Sequence, residues 1–150
     1  MLPEPLHPAV VHFPIAFAFL VPLVAITALI VGKRWQGPVQ LWLFVVVLQG
    51  LVCTSAFVAN ETGEEERVVV EDSVAAAPLD AHQEAGDLFH GVAWGVLIVA
   101  AVGLIRSKWQ PVVQVVVVIG CIAVAVLAAR AGSLGGDLVY EHGAAAHYNK

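Results

Sequence analysis

The histidines spaced along the chain are the residues whose side chains are best suited to bind a cofactor or a metal ion. His7 and His12 stand at the edge of a long apolar run, and they are two of the six histidines in the chain. His82, Gly86 and His90 are spaced four residues apart, so on a helix they share one face. The glycine leaves a flat slot on that face because it has no Cβ. Imidazole is a common ligand of haem iron, so the pattern is typical of a site for a planar cofactor.

His12 and His90 are the candidates for the axial ligands of a b-type haem. Each lies at the outer end of a predicted apolar helix, and two imidazoles from facing helices can ligate one iron in a bundle. His7 and His82 would support these ligands or bind a second centre, and Arg130 could meet a haem propionate. The alternative is that the histidines bond helix ends and that Arg130 reaches the membrane interface or pairs with an acid.

A non-haem metal site is the second chemistry that the sequence allows. Borderline divalent ions accept mixed sets of imidazole and carboxylate ligands. Glutamates near the histidines could therefore complete such a site. The candidate ligands are His7, His82, Glu64, Glu65, Glu84 and His142. A solvated acidic loop is the alternative interpretation of the same residues.

Four apolar segments must position these side chains. The chain has 150 residues, of which 59% are hydrophobic and 13% are charged, and its mean hydropathy is +0.84. Runs of about 18 or more apolar residues can cross a bilayer as helices, which satisfy their own backbone hydrogen bonds. The predicted spans are residues 9–31, 39–59, 88–105 and 112–129, with an acidic loop over 60–87. We therefore predict a single all-α domain, an integral membrane four-helix bundle.

The distribution of charge predicts the orientation of this bundle. The two short links contain no acidic residue, whereas all twelve acids lie on the opposite side. Basic residues concentrate in cytoplasmic loops, so we expect both termini on the outer, periplasmic side of a bacterial inner membrane. All six histidines then lie at the outer end, and Trp35, Trp42 and Trp109 at the inner interface. The acidic outer side disfavours nucleic-acid binding.

The two predicted hairpins resemble each other in sequence. Residues 33–40 (KRWQGPVQ) are similar to residues 107–114 (SKWQPVVQ). A duplicated hairpin would relate the two halves by a pseudo-twofold axis along the membrane normal. The alternative is that short inner links converge on basic residues, tryptophan and proline.

Four motifs resemble those of a known family. They are residues 6–16 (LHPAVVHFPIA), 63–65 (GEE), 82–86 (HQEAG) and 135–143 (GGDLVYEHG). Together they resemble the DUF2231 family of bacterial four-span membrane proteins over essentially the whole chain. The resemblance implies a small haem- or metal-linked membrane protein that can occur with c-type cytochromes or respiratory components. The positions that match are His7, His12, His82, His90 and His142.

The leading functional prediction is therefore a membrane protein that binds haem b and transfers electrons near the outer face. Its expected partners are the lipid bilayer, a c-type cytochrome or other redox subunits, and further copies of itself in an oligomer. An accessory or structural subunit of a respiratory or photosynthetic complex is the alternative, together with the non-haem metal protein. No nucleophile with a base at recognisable spacing and no phosphate loop is present, so catalysis is the less favoured interpretation.

Overall fold

The chain forms an all-helical membrane protein. The computed structural model describes the backbone of residues 5–35 and 39–149 and the side chains of residues 5–32 and 39–146. Four long helices are each long and apolar enough to cross a membrane. The elements are α1 (His7–Val10), α2 (His12–Trp35), α3 (Val39–Val70), α4 (Ala76–Val102), α5 (Gln110–Tyr140) and a final 3₁₀ helix (Ala144–Asn149).

The four long helices form a bundle in which each packs mainly against two neighbours. α2 and α4 both pack against α3 and α5, so α2 and α4 lie on one diagonal of the bundle. The short helix α1 packs on α3. Large apolar side chains cover the outer surface, among them Leu23, Ile98 and Val126, which are each more than 60% exposed. Such a surface suits lipid, and the core inside it is built from small alanines and valines that let helices approach closely.

The buried positions repeat from the first hairpin to the second. Residues 14, 18, 21, 25 and 28 are buried in α2, and the residues 75 positions later are buried too: 89, 93, 96 and 100 in α4, and 103 directly after it. α3 buries residues 45, 49, 52, 53 and 56, and α5 buries residues 117, 121, 124, 125 and 128, each 72 positions later. Ala18 thus corresponds to Ala93, and Gln49 to Cys121. The repeat in burial supports the two-hairpin organisation that the inner links predicted.

The equivalent residues Gln49 and Cys121 meet at the centre of the bundle. Gln49 is fully buried, and its side-chain amide donates a hydrogen bond to the Ala93 carbonyl at 3.0 Å. The Cys121 thiol donates to the Gln49 Oε1 at 3.9 Å. Both cysteines, Cys53 and Cys121, are free and buried, as small hydrophobic residues are.

The helices extend well beyond the predicted spans. The acidic segment 60–87, which we expected to be a loop, continues α3 to Val70 and begins α4 at Ala76. Glutamate, arginine and alanine are good helix formers, so the charged segments remain helical outside the membrane. At 1.5 Å per residue the 32 residues of α3 span about 48 Å, which exceeds the roughly 30 Å of hydrocarbon.

Polar contacts join α3 to α4 along this extension. Arg67 forms an ion pair with Asp80 at 2.6 Å and donates to Gln83 at 2.6 Å. Two turns closer to the membrane, Asn60 donates to Asp87 at 3.0 Å. A small apolar cluster of Val70, Val74, Leu79 and Leu138 closes this end of the bundle.

At the opposite end of the bundle, one predicted interfacial tryptophan is part of the core. Trp42 is buried, and its indole N–H donates to the Ala100 carbonyl at 3.0 Å. The space for this ring exists because Gly103 has no side chain, and a Cβ there would lie 2.6 Å from the Trp42 Nε1. Trp109 is exposed, with the Lys108 ammonium 5.7 Å from its ring. The Trp35 side chain lies outside the described residues.

Candidate functional site

His7 bridges from α1 to α3 at the end of the bundle that carries the acids. Its Nδ1 lies 2.9 Å from the Ala59 carbonyl oxygen and 3.3 Å from the Thr62 Oγ1. A carbonyl only accepts hydrogen bonds, so the Nδ1 must carry the proton and donate it. The Thr62 hydroxyl already donates to the Val58 and Ala59 carbonyls. The neutral ring therefore has its free lone pair on Nε2.

His82 makes the equivalent bridge from α4 to α5. Its Nδ1 lies 3.1 Å from the Ala131 carbonyl oxygen. The same argument assigns the proton to Nδ1 and the lone pair to Nε2. Like His7, His82 is half-buried. Each hairpin thus holds one imidazole against its second long helix by the same type of bond.

A glycine lies under each of the two rings. A Cβ built at Gly63 would lie 3.0 Å from the His7 Cε1, and a Cβ built at Gly135 would lie 3.0 Å from the His82 Cε1. In each hairpin the glycine follows the bonded alanine by four residues, one helical turn. Glycine at both positions lets each imidazole pack directly on the helix backbone, and a larger residue would require the ring to shift.

The two imidazoles face each other across the bundle. The ring centroids of His7 and His82 are 6.0 Å apart, and the ring planes are inclined by 78°. They come from α1 and α4, while their backbone partners come from α3 and α5. All four motifs that carry the family resemblance therefore contribute to one cluster, His7, Gly63, His82 and Gly135, which we call the histidine pair site.

The residues that we expected to be axial ligands lie elsewhere. His12 is exposed, whereas His90 is half-buried and its Nε2 accepts a hydrogen bond from the Trp94 indole at 2.6 Å. The His90 ring also lies 6.1 Å from the Phe57 ring. Among the described residues, no hydrogen bond or ring contact joins His12 to His90. The structure thus brings together His7 and His82, which we had given the supporting role.

Gly86 and Arg130 also lie apart from the histidine pair site. A Cβ built at Gly86 would meet the Asn60 side chain at 3.4 Å, so this glycine faces α3 and does not form a slot beside a histidine. Arg130 is exposed and lines a depression between α4 and α5 with Glu84.

The remaining metal-ligand candidates do not gather around the pair. Glu64, Glu65, Glu84 and His142 are all exposed. Within residues 5–32 and 39–146, no group of three or more histidine, cysteine, aspartate or glutamate side chains could hold a metal ion. The side chain of His147, the sixth histidine, lies outside the described residues.

Sequence reasoning missed the backbone partners and the glycines of this site. Ala59 and Ala131 contribute only their carbonyl oxygens, and no side-chain pattern identifies such a role. Gly63 and Gly135 were visible in two of the four motifs, one helical turn after those alanines. The signal that could have found them is the shared spacing of alanine and glycine at the outer end of each hairpin's second helix.

A comparison with known families agrees with the motifs. The family model described as a predicted membrane protein, DUF2231, matches residues 3–147. No curated protein and no solved structure matches the chain. The match therefore covers every residue of the histidine pair site.

Proposed function

Since the chain belongs to the DUF2231 family of predicted membrane proteins, and since its four motifs meet at two facing imidazoles, we propose that it binds a b-type haem and transfers electrons. In this proposal His7 and His82 are the axial ligands of the iron, in place of His12 and His90. The observation that carries the proposal is the pair of rings with centroids 6.0 Å apart, each held through Nδ1 by a backbone carbonyl.

The hydrogen bonds of both rings prepare them to act as ligands. Imidazoles that bind metals usually donate the proton of the other ring nitrogen to a carbonyl or carboxylate, which fixes the tautomer and the orientation of the ring. His7 and His82 both meet this condition through Ala59 and Ala131. The chain itself therefore leaves Nε2 of each ring unprotonated and available.

The number of donors favours haem over a bare divalent ion. Structural zinc takes four protein ligands and catalytic zinc takes three, whereas the described residues offer no group of three. Haem iron receives its equatorial ligands from the porphyrin and needs only axial ligands from the protein. A pair of imidazoles matches that requirement.

The distance between the rings is also suitable. A metal about 2 Å from one nitrogen of each imidazole separates the two ring centroids by roughly 6 Å. The observed separation is 6.0 Å. Gly63 and Gly135 allow this separation because each ring lies directly on a helix backbone.

A bound haem would supply a one-electron couple whose potential depends on its axial ligands, burial and nearby charge. The chain holds the two imidazoles at the end of the bundle where its carboxylates concentrate, which favours the oxidised, more positive form of a metal centre. By the charge distribution of the links, this end faces the periplasm of a bacterial inner membrane. Its electron partner in this proposal is a c-type cytochrome or another redox subunit.

The test compares two pairs of variants in the purified full-length protein. His7→Asn and His82→Asn keep a side-chain N–H near the position of Nδ1 but lack an equivalent of Nε2. We expect reduced-minus-oxidised spectra of the unmodified protein to show b-type bands and each variant to lose them. His12→Asn and His90→Asn are the matched controls and should keep the bands. Circular dichroism and gel filtration would check that every variant folds.

Other spectral results would refute this assignment. Bands that vanish in the His12 and His90 variants but persist in the His7 and His82 variants would show that His12 and His90 are the haem ligands. If protein purified from cells with sufficient haem shows no bands, it does not bind haem. Elemental analysis then shows whether it binds a metal ion or binds neither haem nor a metal. With neither bound, the two histidines serve only to join helices, as expected of an accessory subunit.

A further inference from the structure

Two depressions follow each other along the bundle surface at α4 and α5, apart from the histidine pair site, and together we call them the α4–α5 groove. Its outer part is lined by a basic and an acidic side chain with small or apolar neighbours, Arg130, Glu84, Ala81, Ala85 and Leu88. Its inner part is almost entirely apolar and is lined by Val92, Gly95, Val96, Val99, Val116, Val117 and Gly120. Successive α4 residues of the two parts are one, three or four positions apart in the sequence, so they lie along one face of the helix.

The groove is long enough to cover the full depth of one leaflet of a bilayer. From residue 81 to residue 99 the α4 helix rises about 27 Å, and the distance from headgroup to bilayer midplane is roughly 20 Å. The polar part lies at the level of the histidine pair site, because His82 bonds the residue that follows Arg130. The groove therefore passes from the headgroup region into the hydrocarbon.

The equivalent face of the first hairpin differs at the positions that form the groove. With the offset of 75 positions, Gly95, where a Cβ would meet nothing within 4 Å, corresponds to Leu20. The charged residues have apolar counterparts, because Glu84 corresponds to Ala9 and, with the offset of 72 positions, Arg130 corresponds to Val58. The second hairpin thus combines a missing side chain with two charges where the first hairpin has neither.

The two charged side chains are positioned to bind a zwitterion. Glu84 and Arg130 project from different helices and are both exposed. Among residues 5–32 and 39–146, neither has a hydrogen bond or an ion pair. They line the same depression without forming an ion pair with each other. A ligand with a phosphate and an ammonium group could contact both.

We propose that the α4–α5 groove binds a phospholipid with an amine headgroup. The phosphate contacts the Arg130 guanidinium, and the ammonium contacts the Glu84 carboxylate. One acyl chain follows the apolar part of the groove past Gly95, where a Cβ would meet nothing within 4 Å. A protein helix would also fit an apolar groove, but the paired charges at the headgroup level favour a lipid.

The experiment transfers residues of the first hairpin to the second in the full-length protein. Gly95→Leu fills the apolar part, Arg130→Val removes the phosphate contact, and Glu84→Ala removes the ammonium contact. Gly91→Leu is the matched control, because Gly91 lies on the same helix outside the groove and a Cβ there also meets nothing within 4 Å. The delipidated proteins are titrated with phosphatidylethanolamine or phosphatidylglycerol, and bound lipid is counted by native mass spectrometry.

Each variant has its own expected result. The unmodified protein and Gly91→Leu should bind phosphatidylethanolamine more tightly than phosphatidylglycerol. Arg130→Val should weaken the binding of both lipids about tenfold or more, as expected for the loss of a charge-assisted hydrogen bond. Glu84→Ala should abolish the preference between headgroups, and Gly95→Leu should reduce the binding of both lipids.

Three results would overturn the proposal. The first is equal binding of the two lipids by the unmodified protein, which would remove the role of Glu84. The second is lipid binding by Gly95→Leu equal to that of Gly91→Leu, which would place the acyl chain elsewhere. The third is unchanged binding after Arg130→Val. These measurements count lipid directly, so they do not depend on whether the protein binds haem.

Discussion

Adding one methyl group under each imidazole should test the geometry of the histidine pair site. A Cβ at Gly63 or Gly135 would lie 3.0 Å from a histidine Cε1. Non-bonded carbons are most favourable at about 3.5–4.0 Å, so each ring must move by at least a few tenths of an ångström. The Nδ1 atoms now lie 2.9 and 3.1 Å from their carbonyl oxygens. A movement of that size takes either bond to or beyond the usual limit of about 3.2 Å.

Two opposing effects set the magnitude of the change in stability. Losing one hydrogen bond costs about 0.5–1.5 kcal/mol. Replacing glycine by alanine within a helix gains up to about 1 kcal/mol. Gly63→Ala and Gly135→Ala should therefore leave the free energy of unfolding nearly unchanged. Gly91→Ala, where a Cβ meets nothing within 4 Å, should show the full gain from helix propensity. The two site variants should thus be less stable than this control by about 1 kcal/mol each.

The assay is reversible unfolding in mixed detergent micelles, followed by circular dichroism over a denaturing-detergent titration. Because the two hairpins hold their histidines in the same way, the two site variants should change stability by similar amounts. The reasoning is refuted if either variant gains as much stability as Gly91→Ala. It is also refuted if only one of the two loses stability relative to that control.

Three further predictions use the same assay. Gly120→Ala should lower the free energy of unfolding by about 1–3 kcal/mol through overpacking, because its Cβ would lie 2.7 Å from a Val96 methyl carbon. A free energy of unfolding equal to that of the unmodified protein would contradict the close contact of α4 and α5. Gln49→Leu removes the bond to Ala93 and should cost only about 0.6 kcal/mol, the average for a polar contact between membrane helices; a loss of several kcal/mol would show that this contact holds the bundle together. Arg67→Ala should cost about 1 kcal/mol or less, since both side chains of its ion pair keep contact with solvent, at 30% and 54% exposed. Added salt should reduce this difference, and a cost that does not change with salt would contradict a surface interaction.

Hydropathy was sufficient to predict the fold, because four long apolar runs have few alternatives to membrane helices. It could not predict where the helices end. Residues 60–70 and 76–87 are polar, yet they remain helical because helix propensity and the pairing of Arg67 with Asp80 continue beyond the lipid. The spacing of His82, Gly86 and His90 placed all three residues on one helix face, but the span boundary assigned His82 to the loop. His12 and His90 then appeared better placed, because both lie within predicted spans.

The candidate site could be predicted only in part. The sequence placed the histidines at one end of the bundle and identified the motifs that contain Gly63 and Gly135. It could not show which imidazoles face each other, because the choice depends on helix rotation and on the backbone carbonyls of Ala59 and Ala131. Every residue has a backbone carbonyl, so the residue types do not indicate which of these oxygens bond the histidines.

The correspondence between the two hairpins has a consequence for the symmetry of the bundle. His7 and His82 face each other across the bundle, and so do Gln49 and Cys121. Equivalent residues meet each other only where they lie close to a twofold axis, so a pseudo-twofold axis along the membrane normal would pass near both contacts. At the outer end this axis relates two chemically identical side chains, whereas at the centre it relates an amide to a thiol.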